Sequence, residues 1–319
     1  MLSMFFLIIG FVFLIQGAKF LVDGASSLAR RLKVSDLVIG LTVVAFGTSA
    51  PELSVNILAA LKGTTDIAVG NIIGSNICNI FLILGVSSII YPLTVPKGTV
   101  WKEIPLSLLA VILLAILAND QFIDNQKFSI LTRIDGLVLL SFFVIFLYYS
   151  FSIAQKIAGM EGHVSSKHKG IFQSVSLIVL GLLGLTLGGK WVVDGAVFIA
   201  QKFNVSTTLL GLTVVAVGTS LPELATSVVA ALKKNPEIAI GNVVGSNIFN
   251  IFFILGMTAT LRPIPFHGGI NFDIGVAIFA SLFLFLFMFT GGKRLIDRWE
   301  GIVFVLLYTF YIIFLIKRG

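Results

Sequence analysis

Two glutamates, Glu52 and Glu223, stand in the same short string, Gly-Thr-Ser-x-Pro-Glu, inside long apolar runs. A carboxylate in hydrocarbon costs at least about 2.5–3.5 kcal/mol on insertion scales, and no lysine or arginine lies close in sequence to either one. A bound cation would offset that cost. The surrounding residue types fit the idea. Thr48, Ser49, Thr219 and Ser220 add hydroxyl oxygens. Pro51 and Pro222 remove a backbone donor and crowd the preceding turn, while Gly47 and Gly218 loosen it. Carbonyls near Ala45, Phe46, Ala216 and Val217 can then turn toward an ion instead of closing the helix. Further along, Ser75 and Asn79 are four apart and share a helix face, as do Ser246 and Asn250. The inventory is carboxylate, amide, hydroxyl and carbonyl oxygen, with no His or Cys cluster. Hard oxygen donors suit Na⁺, Ca²⁺ or Mg²⁺ rather than zinc or copper. The flexible six-to-eight coordination of Ca²⁺ favours it over Mg²⁺.

These residues need a scaffold that lives in lipid. Hydrophobic residues make up 57% of the 319 and charged residues 12%, against about 25% charged in soluble domains. Mean hydropathy is +1.05. Apolar runs of bilayer-spanning length (roughly 20 residues) lie near 4–24, 36–61, 67–92, 103–119, 133–152, 172–199, 207–232, 238–261, 271–290 and 300–316. The expected fold is all-α and integral to the membrane, with ten spans and no separate soluble domain. The first run, Met1 to Val22, lacks a basic start and a small-residue cleavage pattern, so it reads as a retained span. The single cysteine, Cys78, excludes an internal disulfide. The net charge of +7 is accounted for by the membrane, with no nucleic-acid partner. Loops after odd-numbered spans carry 13 Lys/Arg and the opposite side seven. The positive-inside rule therefore predicts a multi-pass protein of the cell membrane with both termini outside and the central linker cytoplasmic.

Sliding the chain on itself by 171 residues aligns 34–92 on 205–263 without a gap, with 33 of 59 positions identical. VIGLTVVAFGTSAPEL (38–53) lies on LLGLTVVAVGTSLPEL (209–224), and IAVGNIIGSNICNIFLILG (67–85) on IAIGNVVGSNIFNIFFILG (238–256). The match reaches back to GAKFLVDGA (17–25) against GGKWVVDGA (188–196). Residues 1–152 thus form a first five-span repeat and 172–319 a second, around a short linker at 153–171; the strongest similarity covers 36–92 and 207–263. Five is odd, so the second copy enters the membrane from the other side. Transporters built on inverted repeats place substrate near the midplane on discontinuous helices, here spans 2 and 7.

The paired motifs Gly-Thr-Ser-x-Pro-Glu and Gly-Asn-x-x-Gly-Ser-x-x-x-Asn, twice in one chain, resemble the α-repeats of sodium/calcium exchangers of the cation/Ca²⁺ antiporter superfamily. The resemblance implies a ten-helix fold in which Na⁺ entry drives Ca²⁺ extrusion through one shared site. It also implies ligands at Glu52, Glu223, Thr48, Ser49, Thr219, Ser220, Ser75, Ser246, Asn79 and Asn250, with the carbonyls of Ala45 and Ala216. Spans 1 and 6 would be the sliding gate. Some members carry an aspartate where Asn250 stands, so this chain has two acidic ligands, which argues against K⁺ co-transport. The linker is too short for the large Ca²⁺-sensing insert of animal exchangers.

The expectation is a transporter and not an enzyme, needing no cofactor and no obligate protein partner, active as a monomer in the bilayer with Na⁺ and Ca²⁺ as substrates. Two carboxylates neutralise one Ca²⁺, whereas three Na⁺ would leave one positive charge moving, so exchange should be electrogenic. H⁺-coupled exchange of Ca²⁺ or another divalent cation is the alternative, and a gated cation channel a more remote one. Asn76 and Asn247 are weaker ligand candidates. Lys19 with Asp23, and Lys190 with Asp194, are spaced for local i,i+4 salt bridges.

Overall fold

The computed structural model describes residues 2–63, 66–158, 170–202, 216–266, 268–290 and 294–318. Helices dominate because an apolar chain in hydrocarbon must satisfy its backbone polar groups within each span. The first half contains α1 (Leu2–Leu32), α2 (Asp36–Thr48), α3 (Ala50–Lys62), α4 (Ala68–Ile90), α5 (Lys97–Leu117) and α6 (Arg133–Ala158). The second contains α7 (Ile171–Lys202), α8 (Leu221–Leu232), α9 (Pro236–Leu261), α10 (Asn271–Phe287) and α11 (Arg298–Arg318). Among the described residues eight helices are long and apolar enough to cross a membrane alone, and α2 with α3 makes a ninth crossing bent by 46°. The tenth expected span, 207–232, falls partly outside the described residues, as does most of the linker at 153–171.

Burial separates centre from rim. In α9 94% of the spanning window is buried and in α4 78%, while no other continuous span exceeds 39%. α4 has no formal charge and α9 only Glu237 in its first turn, so little in their sequence resists complete enclosure. Both leave α-helical register for a π-helical segment, Cys78–Leu84 in α4 and Phe249–Leu255 in α9. Such π segments concentrate at functional sites. The halves are also clasped by short antiparallel strand pairs: β1 (Leu93–Thr94) with β4 (Leu295–Ile296), and β2 (Ser129–Leu131) with β3 (Ile264–Phe266).

Outside this centre, α1 and α7 lie antiparallel along a seam of small residues. A Cβ on Gly17 would stand 2.8 Å from the Gly181 carbonyl and the Leu185 nitrogen, and one on Gly10 2.9 Å from the Gly188 carbonyl. At Gly24 the Ser174 carbonyl lies 2.8 Å away. The sevenfold spacing of Gly10, Gly17 and Gly24 on one helix, answered by Ser174, Gly181 and Gly188 on the other, brings backbone against backbone. The α1–α7 pair sits asymmetrically on the centre. α1 packs along α8, whereas α7 makes no comparable contact with α3 among the described residues.

The local salt bridges expected in spans 1 and 6 are not made. Asp23 instead accepts Lys233 at 2.6 Å, across the two halves. No ion pair joins Lys190 to Asp194. Both ends of that pair line a crevice of about 200 Å³. A partner 210 residues away in sequence is closer in space than one a helical turn away, because α8 ends against the middle of α1.

Candidate cation site

The break between α2 and α3 falls at Ser49 (φ −83°, ψ 8°), and its repeat counterpart at Ser220 (φ −86°, ψ 5°). Pro51 and Pro222 then occupy the first turn of α3 and α8, where the missing N–H costs nothing. The same turns hold Glu52 and Glu223. A carboxylate there faces the positive end of the half-helix dipole, which stabilises it. Gly47 and Gly218 have a packing role besides the loosening expected of them. Leu182 of α7 fills the space a Cβ on Gly47 would need, and Val193 does so at Gly218, so α7 runs over both breaks.

The predicted ligands converge. Glu52, Glu223, Thr48, Ser75, Ser246, Asn79 and Asn250 are fully buried, Ser49 and Ser220 nearly so, and Thr219 is half-buried at the crevice. Ser49 donates to Glu223 Oε1 at 2.9 Å and lies 3.0 Å from the Ser246 hydroxyl. The serine pair repeats in the other copy, Ser220 lying 3.0 Å from Ser75, but there the central-helix serine, Ser75, is the one that donates to Glu52 Oε1, at 3.4 Å. The broken helix of each half thus meets the central helix of the other. The Ala45 carbonyl accepts the Ser49 N–H at 3.0 Å and the Thr48 hydroxyl at 3.3 Å. At the second copy the Ser220 N–H goes to the Val217 carbonyl at 3.1 Å. The two backbone turns therefore differ.

Four acceptor atoms at this convergence have no hydrogen-bond partner: Glu52 Oε2, Glu223 Oε2, Asn79 Oδ1 and Asn250 Oδ1. They are symmetric pairs. An orphaned buried oxygen costs about 1–3 kcal/mol and more when charged, so four together call for something electropositive among them. Neither glutamate has an ion-pair partner among the described residues.

Asn76 and Asn247 explain how two of these oxygens are aimed. Asn79 Nδ2 donates to Asn247 Oδ1 at 2.9 Å, and Asn250 Nδ2 donates to Asn76 Oδ1 at 2.9 Å. With the NH₂ end tied, the Asn79 and Asn250 amides each present their oxygen at the free end. We expect Asn247→Ala to weaken Ca²⁺ binding by about tenfold, the low end for loss of an outer partner of a metal ligand, with the fold intact by circular dichroism. Calorimetric titration of Ca²⁺ into purified protein measures it.

Asn71 and Asn242 belong to the site and were absent from the sequence expectation. Thr48 donates to Asn242 Oδ1 at 3.0 Å, and Asn242 Nδ2 donates to the Glu223 carbonyl at 3.2 Å and to Ser227 at 2.9 Å. Thr219 donates to Asn71 Oδ1 at 3.4 Å. The signal was present, since Asn71, Ser75 and Asn79 fall at i, i+4 and i+8 on one face. The flanking glycines by themselves suggest close helix packing. That packing is real at Gly241 and Gly245, where a Cβ would stand 2.8 Å from the Leu37 carbonyl and 2.6 Å from the Leu41 carbonyl.

A two-carboxylate, all-oxygen cage on paired broken helices invites comparison with known proteins. The family model described as sodium/calcium exchanger protein matches residues 2–152 and 173–317. The chain belongs to the sodium/calcium exchanger family. Sodium/calcium exchanger MaX1 of Methanosarcina acetivorans is 32% identical over 341 residues, covering 97% of each chain. Inner membrane protein YrbG of Escherichia coli K12 is 37% identical over 272 residues, 82% of this chain and 81% of that one. Among solved structures, the sodium-calcium exchanger NCX_Mj superposes with a TM-score of 0.83 at 36% identity over 98% of both chains. A member of this exchanger family is thus a multi-pass membrane antiporter by descent, and the cage lies where its repeats cross.

Proposed function

We propose that this exchanger carries out Na⁺/Ca²⁺ antiport by alternating access, with several Na⁺ entering per Ca²⁺ extruded and net charge moved in each cycle. The observation that carries the reading is the symmetric set of four unpartnered oxygens, two carboxylate and two amide. Two carboxylates neutralise a single Ca²⁺ in place. The hydroxyls of Thr48, Ser49, Thr219 and Ser220 beside them supply neutral oxygens for Na⁺. We assign Glu52, Glu223, Asn79 and Asn250 as the ligands of Ca²⁺, with Ser75, Ser246 and the four hydroxyls completing the cage and the Ala45 and Ala216 carbonyls at its edges.

The α1–α7 pair is the natural moving part. Its seam is backbone on backbone, α7 covers both helix breaks, and the crevice beside it reaches Thr219 and Pro51. Sliding that pair would uncover the cage from one side and then the other. Following the positive-inside reading, the mouth at Asp194 opens outside and the end at Lys233 faces the cytoplasm.

The test is reconstitution in sealed vesicles loaded with Na⁺. An outward Na⁺ gradient should drive radiolabelled Ca²⁺ uptake, and a membrane potential negative on the side Na⁺ enters should speed it. Uptake that ignores the potential would rule out net charge movement. Uptake driven by a pH gradient without Na⁺ would assign H⁺ as the coupling ion.

A further inference from the structure

The two mouths of the ion path carry the same charged pair at equivalent positions, and only one pair is formed. Asp23 and Lys233 correspond to Asp194 and Lys62 at the offset of 171. Lys233 Nζ donates to Asp23 Oδ1 at 2.6 Å and to the Lys19 carbonyl at 3.3 Å, tying the end of α8 to α1. Around it Asn235 Nδ2 donates to Ser26 Oγ at 3.0 Å and to Asp36, and the Leu37 N–H donates to Glu237 at 3.1 Å. That end is shut by contacts between the halves. At the other end Lys62 and Asp194 are exposed and form no ion pair among the described residues. The crevice beginning beside Asp194 runs past Gly218 to Thr219 at the cage. The unequal packing of the α1–α7 pair, along α8 but not along α3, is the same asymmetry at the level of helices.

We propose that Asp194 and Lys62 are the second member of an exchanging latch: each mouth closes by pairing its carboxylate with its ammonium, and opens by freeing that carboxylate as the first cation-binding group on the way in. The inference rests on the alternating-access reading above. Closing one mouth then neutralises the charge that drew cations to it, while opening the other exposes a fresh one. The latches are unequal. Ser26, Asp36 and Asn235 have Val197, Thr207 and Thr64 at equivalent positions, so the sequence at the Lys62 end lacks the carboxylate and amide that flank the Lys233 pair. The resting protein should therefore favour the conformer with the Lys233 end shut.

Cysteine pairs at 23/233 and at 62/194, introduced singly and together in a Cys78→Ala background with a protease site in 159–169, test this with a short thiol cross-linker. Each link holds the cleaved halves together on a denaturing gel, so it is read without any transport assay. The expected result is ready linking at 23/233, slower linking at 62/194, and in the four-cysteine protein one link or the other but never both. Both links in one molecule would overturn the proposal. So would a 62/194 link that never forms while the Cys78→Ala parent transports. Failure of the parent to show Na⁺-driven uptake would instead defeat the transport reading. A charge exchange adds a second readout. Lys62→Asp and Asp194→Lys should each slow exchange about two- to fivefold, the scale of a partly exposed ion pair, and the double variant should recover. Absence of recovery, with both singles folded, would overturn the pairing.

Discussion

Glu223→Gln and Glu52→Gln should each lower Na⁺-driven Ca²⁺ uptake by at least about 100-fold, since even an outer partner of a metal ligand is worth about 10–100-fold. Each substitution keeps the side chain's size and the acceptor that Ser49 or Ser75 uses, and removes the charge. The second arm of the experiment is stability in detergent. A carboxylate buried without a basic partner is costly at membrane depth, so the ion-free variants should melt no lower than wild type, and higher if the charge is strained. Added Ca²⁺ should raise the melting temperature of wild type and leave both variants unmoved. Retained uptake, or a lower melting point with Ca²⁺ stabilisation intact, would make the glutamates structural and dismantle the site.

Gly17→Leu should abolish transport by a different route. The Cβ alone would stand 2.8 Å from backbone atoms of α7 at Gly181 and Leu185, and backbone cannot turn aside as a side chain can. Overpacking of this kind costs about 1–3 kcal/mol, and the remaining leucine atoms must separate α1 from α7 along the seam. Loss of uptake with a lowered melting temperature is the expected outcome, and Gly181→Leu should match it from the other side. Gly275→Ala in α10 is the control, since a Cβ there meets nothing within 4 Å; alanine at a helix interior is favoured by up to about 1 kcal/mol. Full activity in Gly17→Leu would mean the pair tolerates separation and does not move as one body.

The sequence made the cage legible because duplication filters it. Only positions that matter twice stand out, and the Pro-Glu strings and the Ser-x-x-x-Asn spacing do so against an apolar background. The serine at which each broken helix turns could be placed near Pro51 and Pro222 on local sterics alone. What was hidden depends on contacts across the halves. Asn71 and Asn242 looked like parts of a glycine-rich packing face because their partners, Thr219 and Thr48, lie in the opposite repeat. Asp23 was read with Lys19 four residues away, since spacing along a helix cannot see Lys233. The π segments escaped for a similar reason: Cys78–Leu84 and Phe249–Leu255 are ordinary apolar sequence, and their hydrogen-bond register is set by what encloses them. The role of Gly10, Gly17 and Gly24 depends on the matching set in α7, which spacing within α1 alone does not reveal.

The crossing of partners between the halves has a consequence for how the molecule is made. Ser49 finds Ser246, Ser75 finds Ser220, Asn79 finds Asn247, and Leu93–Thr94 finds its mate only at Leu295–Ile296, just before the last helix. During synthesis the first five spans must wait in the bilayer with their polar interior unmatched until the final segments arrive. Neither half is a finished object alone, and each is the template on which the other completes itself. Two separately produced halves should assemble only when made together, and a chain truncated before residue 295 should be recognised by the cell as unfinished.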